Sequence, residues 1–161
     1  MRLPSPITCR IRNWAKRTAD ERPPDFVIGD PGDPYMRRWW IIPRNPLFNI
    51  YLHQVRKSDE DRALHDHPWW NMSIVLDGGY VEVTPAGSHV RHVGSVVGRR
   101  AAALHRLVVP EHYTVYGIEV WTLFITGPRI RTWGFQCPQG WVPWHKFVKP
   151  AAPGEVGRGC A

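Results

Sequence analysis

Proline and glycine interrupt this chain too often for long helices. Its 161 residues include 16 Pro and 14 Gly, spread along the chain between short apolar runs. The runs fall at 39–42, 48–55, 69–76, 80–84, 90–97, 103–109, 113–116 and 119–126. Pro85, Gly87, Gly94, Gly98, Pro110, Gly117 and Gly127 mark the junctions, and Asp77-Gly78-Gly79 is a strong tight-turn signal. Short strands with turn signals every ~8–12 residues predict an all-β sandwich or barrel. A chain of this length can bury one proper core. The expected organisation is an N-terminal extension over 1–38, partly helical or irregular, a β-barrel over 39–150, and a flexible tail over 151–161.

Within the extension, 10–20 is the best helix candidate. Ile11, Trp14 and Ala15 fall on one face, and Pro23-Pro24 ends it. Residues 29–36 (Gly-Asp-Pro-Gly-Asp-Pro-Tyr-Met) read as a turn-rich loop. The aromatic, Pro-containing stretch 128–150 has no regular period. Such a segment closes a barrel end or covers a site.

The net charge is +7, and 17 of the 21 basic residues are Arg. A basic surface suits nucleic acid, phosphorylated substrates or an anionic partner, and it informs about association rather than fold. The basic residues form no single run. The three cysteines, Cys9, Cys137 and Cys160, are far apart and contain no CxxC pair. They read as neither a disulfide framework nor a zinc finger, which fits a reducing cytoplasm. No apolar run approaches the ~18 residues that span a bilayer, and Met1 to Arg10 lacks the apolar stretch of a signal peptide. Walker, G-x-G-x-x-G and G-x-S-x-G motifs are all missing.

The chemistry concentrates in Leu64-His65-Asp66-His67-Pro68-Trp69-Trp70-Asn71. In an extended chain, residues two apart share a face, so His65 and His67 aim two imidazoles at one point. His105, on a run where it shares a face with Ala103, Leu107 and Val109, is the expected third ligand. Neutral imidazole suits Fe, Mn, Ni, Zn or Cu. Pro68 holds His67 in an extended conformation. Asp66 faces the other way and reads as a surface carboxylate, or as a group that orients a ligand.

These residues resemble the two sequence motifs of the cupin family. In the first motif His65 and His67 match, Asn71 stands where the family has Glu, and Gly78 follows in register. In the second, Gly94 and His105 match, while Arg100, Ala102 and Val109 replace the family's Pro, Gly and Asn. The resemblance covers roughly residues 45–127. The chain is also similar to small cupin-like proteins of bacteria and phages in Leu64-His-Asp-His-Pro-Trp69, Gly78-Gly-Tyr-Val-Glu82, His105-Arg106 and the segment from Trp133 to Trp141. The resemblance implies a double-stranded β-helix, or jelly-roll, barrel with a short N-terminal extension. It implies a divalent transition metal (Fe, Mn, Ni or Zn) held by His65, His67 and His105.

Asn71 cannot replace the anionic ligand. Glu82, on a face with Tyr80 and across a hairpin from Asn71 and Ser73, is the natural substitute, provided the register turns it inward. Arg62, Tyr80, Asn71 and Trp133 are the candidate substrate contacts. Arg100 and Arg106 flank His105 on the opposite face. Most Trp should be core, with some at a pocket mouth. His53 is a weaker ligand candidate, and His89, His92, His112 and His145 read as surface. The expected function is a metal-dependent cupin-type enzyme, dioxygenase-like or isomerase-like, acting on a small polar or anionic substrate. The competing expectation is a non-catalytic binding module for a sugar, nucleotide or nucleic acid. A homodimer is compatible with either, and no membrane association is expected.

Overall fold

The computed structural model describes residues 1–59, 63–148 and 159–160. It opens with helix α1, Ser5–Glu21, which begins five residues before the expected start. Pro6 sits in its first turn, where the missing N–H costs nothing. At the other end the Trp39 indole donates to the Arg22 carbonyl, satisfying an end group that the helix itself cannot pair.

The turn-rich reading of 29–36 is corrected by the structure. Strands β1 (Phe26–Asp30) and β2 (Asp33–Trp40) form a hairpin, and only Pro31 and Gly32 turn. The Asp30 carboxylate caps the turn by accepting from the Gly32 N–H. Pro34 escapes the usual penalty because it pairs with Gly29, at a bulge with φ of 93°. Composition suggested a loop, but pairing over five register positions prevails.

Strands β3 (Asn49–Val55), β4 (Leu64–His65), β5 (Asn71–Asp77), β6 (Gly79–Thr84), β7 (Gly87–His92), β8 (Val96–Arg99) and β9 (Arg106–Val108) follow. The run 90–97 is thus split between two strands. The run 113–116 is not a strand: Glu111–Val115 forms the short helix α2, begun by Pro110, whose carbonyl accepts from the Tyr113 N–H. Strand β10 (Val120–Thr126) returns to the centre, and β11 (Gly134–Cys137), β12 (Gly140–Pro143) and α3 (Trp144–Phe147) close the chain.

All strand pairs are antiparallel. One sheet has the order β1-β2-β3-β10-β5-β8, and two others have the orders β12-β11-β4 and β7-β6-β9. A backbone bridge between His65 and His105 joins the two smaller sheets edge to edge. The result is a second layer, β12-β11-β4-β9-β6-β7, facing the first, which is the jelly-roll arrangement. The all-β expectation holds.

Alternate residues of the large sheet serve two different cores. Trp39, Leu52, Ile74, Leu76 and Trp121 face outward and pack under Ile11, Trp14 and Ala15 of α1. Met36, Val55, Val75 and Val120 face inward and pack on Tyr80, Leu107 and Val109 of the second layer. Of the tail expected over 151–161, only Gly159 and Cys160 lie among the described residues. Cys160 is joined to Cys137 by a disulfide. This corrects the reading that the cysteines form no disulfide framework and removes the ground on which a reducing compartment was expected. Cys9 is free and exposed. No helix of the described residues is long and apolar enough to cross a membrane.

Candidate metal centre

The backbone of 65–67 is clamped from both sides. On one side His65 pairs with Phe135 of β11, and the Asp66 N–H donates to the Gly134 carbonyl. On the other, His65 and His105 exchange both backbone hydrogen bonds, and the His67 N–H donates to Ala101. Strand β4 ends at His65, yet this clamp keeps His67 extended, and Pro68 prevents a helical turn there. The two-residue spacing therefore turns His65 and His67 inward, as the sequence predicts.

The three imidazoles converge. Ring centroids are 5.3 Å apart for His65 and His67, 4.8 Å for His65 and His105, and 5.1 Å for His67 and His105. One ring nitrogen from each lies within 4.8 Å of the others. The His67 and His105 Nε2 atoms are 2.8 Å apart. Two imidazoles on one ion at the usual ~2.0–2.1 Å, at right angles, would hold their nitrogens about 2.9 Å apart. The pair therefore already has the separation of two adjacent ligands.

Burial keeps these rings uncharged. It lowers His65 to about 4, against an opposing pull from Asp59. It pushes His67 well below the ordinary range, and the neighbouring His65, His105 and Arg99 add to the effect. His105 is lowered by burial and partly restored by Glu82. Neutral imidazole is the form that binds metal, so the donor set fits a transition metal.

Glu82 is inside, 2% exposed, so the register does turn it inward. Its carboxylate is fully engaged with cations. Oε1 accepts from Arg99 Nε at 2.5 Å, and Oε2 accepts from Arg91 Nε at 2.8 Å. Oε1 also lies 3.2 Å from His105 Nδ1, at ion-pair distance though not aligned as a hydrogen bond. Burial alone would raise this carboxyl. Contact with His105 and the charge and hydrogen bonds of Arg99 and Arg91 hold it far below the usual carboxylate range. Among the described residues the close cluster of ligand atoms contains the three histidines; Glu82 faces the opposite ring nitrogen of His105 from the one near His67.

The other expected contacts are dispersed. Asn71 is buried, and its Oδ1 accepts from Arg99 Nη1. Tyr80 is buried in the inner core, where burial raises its hydroxyl pKa against the opposing charge of Arg99. Trp133 is half-buried, its ring 6.4 Å from His65 and stacked on Trp144. Arg62 lies outside the described residues. His53 accepts from Arg38 Nε and stacks on Phe124, apart from the three-histidine group. His89, His92, His112 and His145 are exposed, as read.

Sequence reasoning favoured the wrong place for Asp66 and missed Asp59 and Arg99. Asp66 is not a surface group; it is buried, and it accepts from Arg131, the Gly134 N–H and the Trp141 indole. It thereby fastens the closing segment beside His65. Asp59 holds the Leu107 N–H and approaches His65 Nδ1 at 3.8 Å. Arg99 is the third. Arg99 lies an even number of residues before His105, so face parity itself puts it on the His105 face, but the reading weighed only the flanking Arg100 and Arg106, which parity sends the other way. Its strand pairing with Asn71 confirms the inward face.

No family model matches the sequence, and no curated protein matches it. Similarity appears among solved structures. The DMSP lyase DddQ from Ruegeria pomeroyi aligns at TM-score 0.53 and 12% identity, over 70% of this chain and 57% of that one. HppE in its FeII form aligns at 0.52 and 14%, over 66% and 57%. A protein described as a putative mannose-6-phosphate isomerase, from Ralstonia eutropha, aligns at 0.50 and 15%, over 65% and 92%. This chain thus spans little more than half the length of the first two. The chain has a cupin-like fold.

Proposed function

We propose that this protein is a metal-dependent enzyme of cupin type acting on a small polar or anionic substrate. The observation that carries this reading is the convergence of three neutral imidazoles, His105 buried and His65 and His67 partly buried, two of them already at the separation of adjacent ligands. His65, His67 and His105 would hold a divalent transition metal (Fe, Mn, Ni or Zn). The metal would supply a Lewis acid or a redox centre with positions free for water and substrate.

Glu82 is proposed here as a positioning residue. A carboxylate against Nδ1 of His105 favours the tautomer that leaves Nε2 free to ligate, and such partners tune ligand basicity. Asp59 stands in the same relation to His65 at longer range. The half-exposed pair Trp133 and Trp144, stacked at 6.0 Å, forms an apolar wall beside His65 for the body of a substrate. Oxidative and isomerising reactions are both compatible with this arrangement.

The same aromatic pair favours a second reading, a binding module with no reaction, since stacked rings hold sugars and bases. Elemental analysis of the purified protein and of His65→Ala and His105→Ala separates the two. Near-stoichiometric metal in the wild type, lost in both variants, supports the metalloenzyme. No metal after anaerobic reconstitution contradicts it and favours the binding module.

A further inference from the structure

Behind the histidines lies a second cluster of unsatisfied polar groups. Arg99 is 9% exposed and Asn71 is 1% exposed. Arg99 uses Nε on Glu82, and Nη1 on Asn71 Oδ1 at 3.2 Å and Ser73 Oγ at 3.0 Å. Its Nη2 has no partner among the described residues, and neither has Asn71 Nδ2. Buried donors are almost always satisfied, and these two belong to side chains bonded to each other. Both are donors, so an acceptor is what is missing.

The charge balance points the same way. Arg99 and Arg91 share one carboxylate, Glu82, which leaves that group of three with an excess of one positive charge. A bound divalent metal would enlarge that excess, because the histidine ligands bring no negative charge. Arg99 is also next to the triad, since the Glu82 Oε1 that it binds lies 3.2 Å from His105 Nδ1.

We infer that Arg99 Nη2 and Asn71 Nδ2 form a subsite for the carboxylate arm of a small molecule, set beside the His65–His67–His105 cluster. A planar two-oxygen acceptor matches one donor from the guanidinium and one from the amide bonded to it. A carboxylate carries one negative charge, which balances the excess of one on this group, whereas a phosphate dianion overshoots it. This inference deepens the proposed function by naming the substrate class; its place in a reaction rests on that proposal, but binding of the carboxylate does not.

The test is calorimetric titration of the full chain, stripped of metal with EDTA. The probes are acetate and malonate, with malonamide and inorganic phosphate as comparisons. Wild type, Arg99→Gln and Asn71→Asp are compared, and Mn(II) alone is titrated separately into each. The expected result is carboxylate binding in the wild type, weakened at least tenfold in both variants, with malonamide and phosphate far weaker. Asn71→Asp keeps the size of the side chain and its bond from Arg99, so it decides the matter if Arg99→Gln fails to fold. No carboxylate binding in the wild type overturns the inference. So does equal binding by wild type and Asn71→Asp, or phosphate binding as tight as malonate. Should Mn(II) fail to bind while the carboxylate results hold, the metal reading falls and the subsite stands.

Discussion

The two faces of the six-stranded sheet are built from alternate residues of the same strands and carry opposite chemistry. The outer face presents Trp39, Leu52, Ile74, Leu76 and Trp121 to α1. The inner face, at the end of the barrel near the histidines, presents Arg38, His53, Asn71, Ser73, Arg99, Thr122 and Thr126. A barrel filled with polar groups lacks the apolar burial that stabilises ordinary jelly rolls. Here the missing burial is supplied from outside, by a helix laid over the sheet, and by the apolar far end of the barrel. The lesson is that the N-terminal segment is not an appendage. It forms the core that leaves the interior free for a site.

That division predicts separable damage. The largest effect is expected inside. Glu82→Gln leaves two inward cations facing a neutral partner, and breaking a buried ion pair costs about 3–5 kcal/mol. The same change should weaken metal binding about 10–100-fold, as loss of a ligand-orienting carboxylate does. Urea denaturation and Mn(II) titration read the two losses. Trp39→Ala should also cost about 3–5 kcal/mol, by opening a cavity under α1. It should leave metal stoichiometry intact, and loss of metal in that variant would break the proposed separation of the two faces.

The next effect is on pH dependence. His53, His65, His67 and His105 are all held below their ordinary range, chiefly by burial. Unfolding lets them take up protons near about 6.5. The unfolded state therefore binds more protons below that pH, and the metal-free protein should lose stability as pH falls from about 7 to about 5. Urea midpoints across this range check the sign; a flat or rising stability toward pH 5 would contradict it. The smallest effect is expected at the rim of α1. Lys16 pairs with Asp77 at 2.6 Å, half-exposed, and Lys16→Ala should change stability by less than about 1 kcal/mol.

How much of this was legible in the sequence follows from the range of each signal. Turn residues and two-residue periodicity are local, so the all-β class and most strands could be read, as could the shared face of His65 and His67. His105 was found because an inward parity coincided with a motif position. Hairpin β1–β2 was hidden because Gly-Asp-Pro-Gly-Asp-Pro has the composition of a loop, and only its partner strand makes it a strand. Helix α2 was mistaken for a strand because five residues carry too little period to tell. Arg99 and Asp66 were lost for a different reason. Their roles depend on partners 17 to 75 positions away, which no single-chain pattern reports. The Cys137–Cys160 disulfide belongs to the same class.

The central claim is that the barrel interior holds a metal on three histidines. Its most direct test is a crystal structure of the metal-reconstituted protein with anomalous data at the metal's absorption edge. The account predicts one strong anomalous peak about 2.0–2.2 Å from a ring nitrogen of each of His65, His67 and His105, with Glu82 remaining against Arg99 and His105 Nδ1. A peak elsewhere, or none in the fully reconstituted protein, would contradict it.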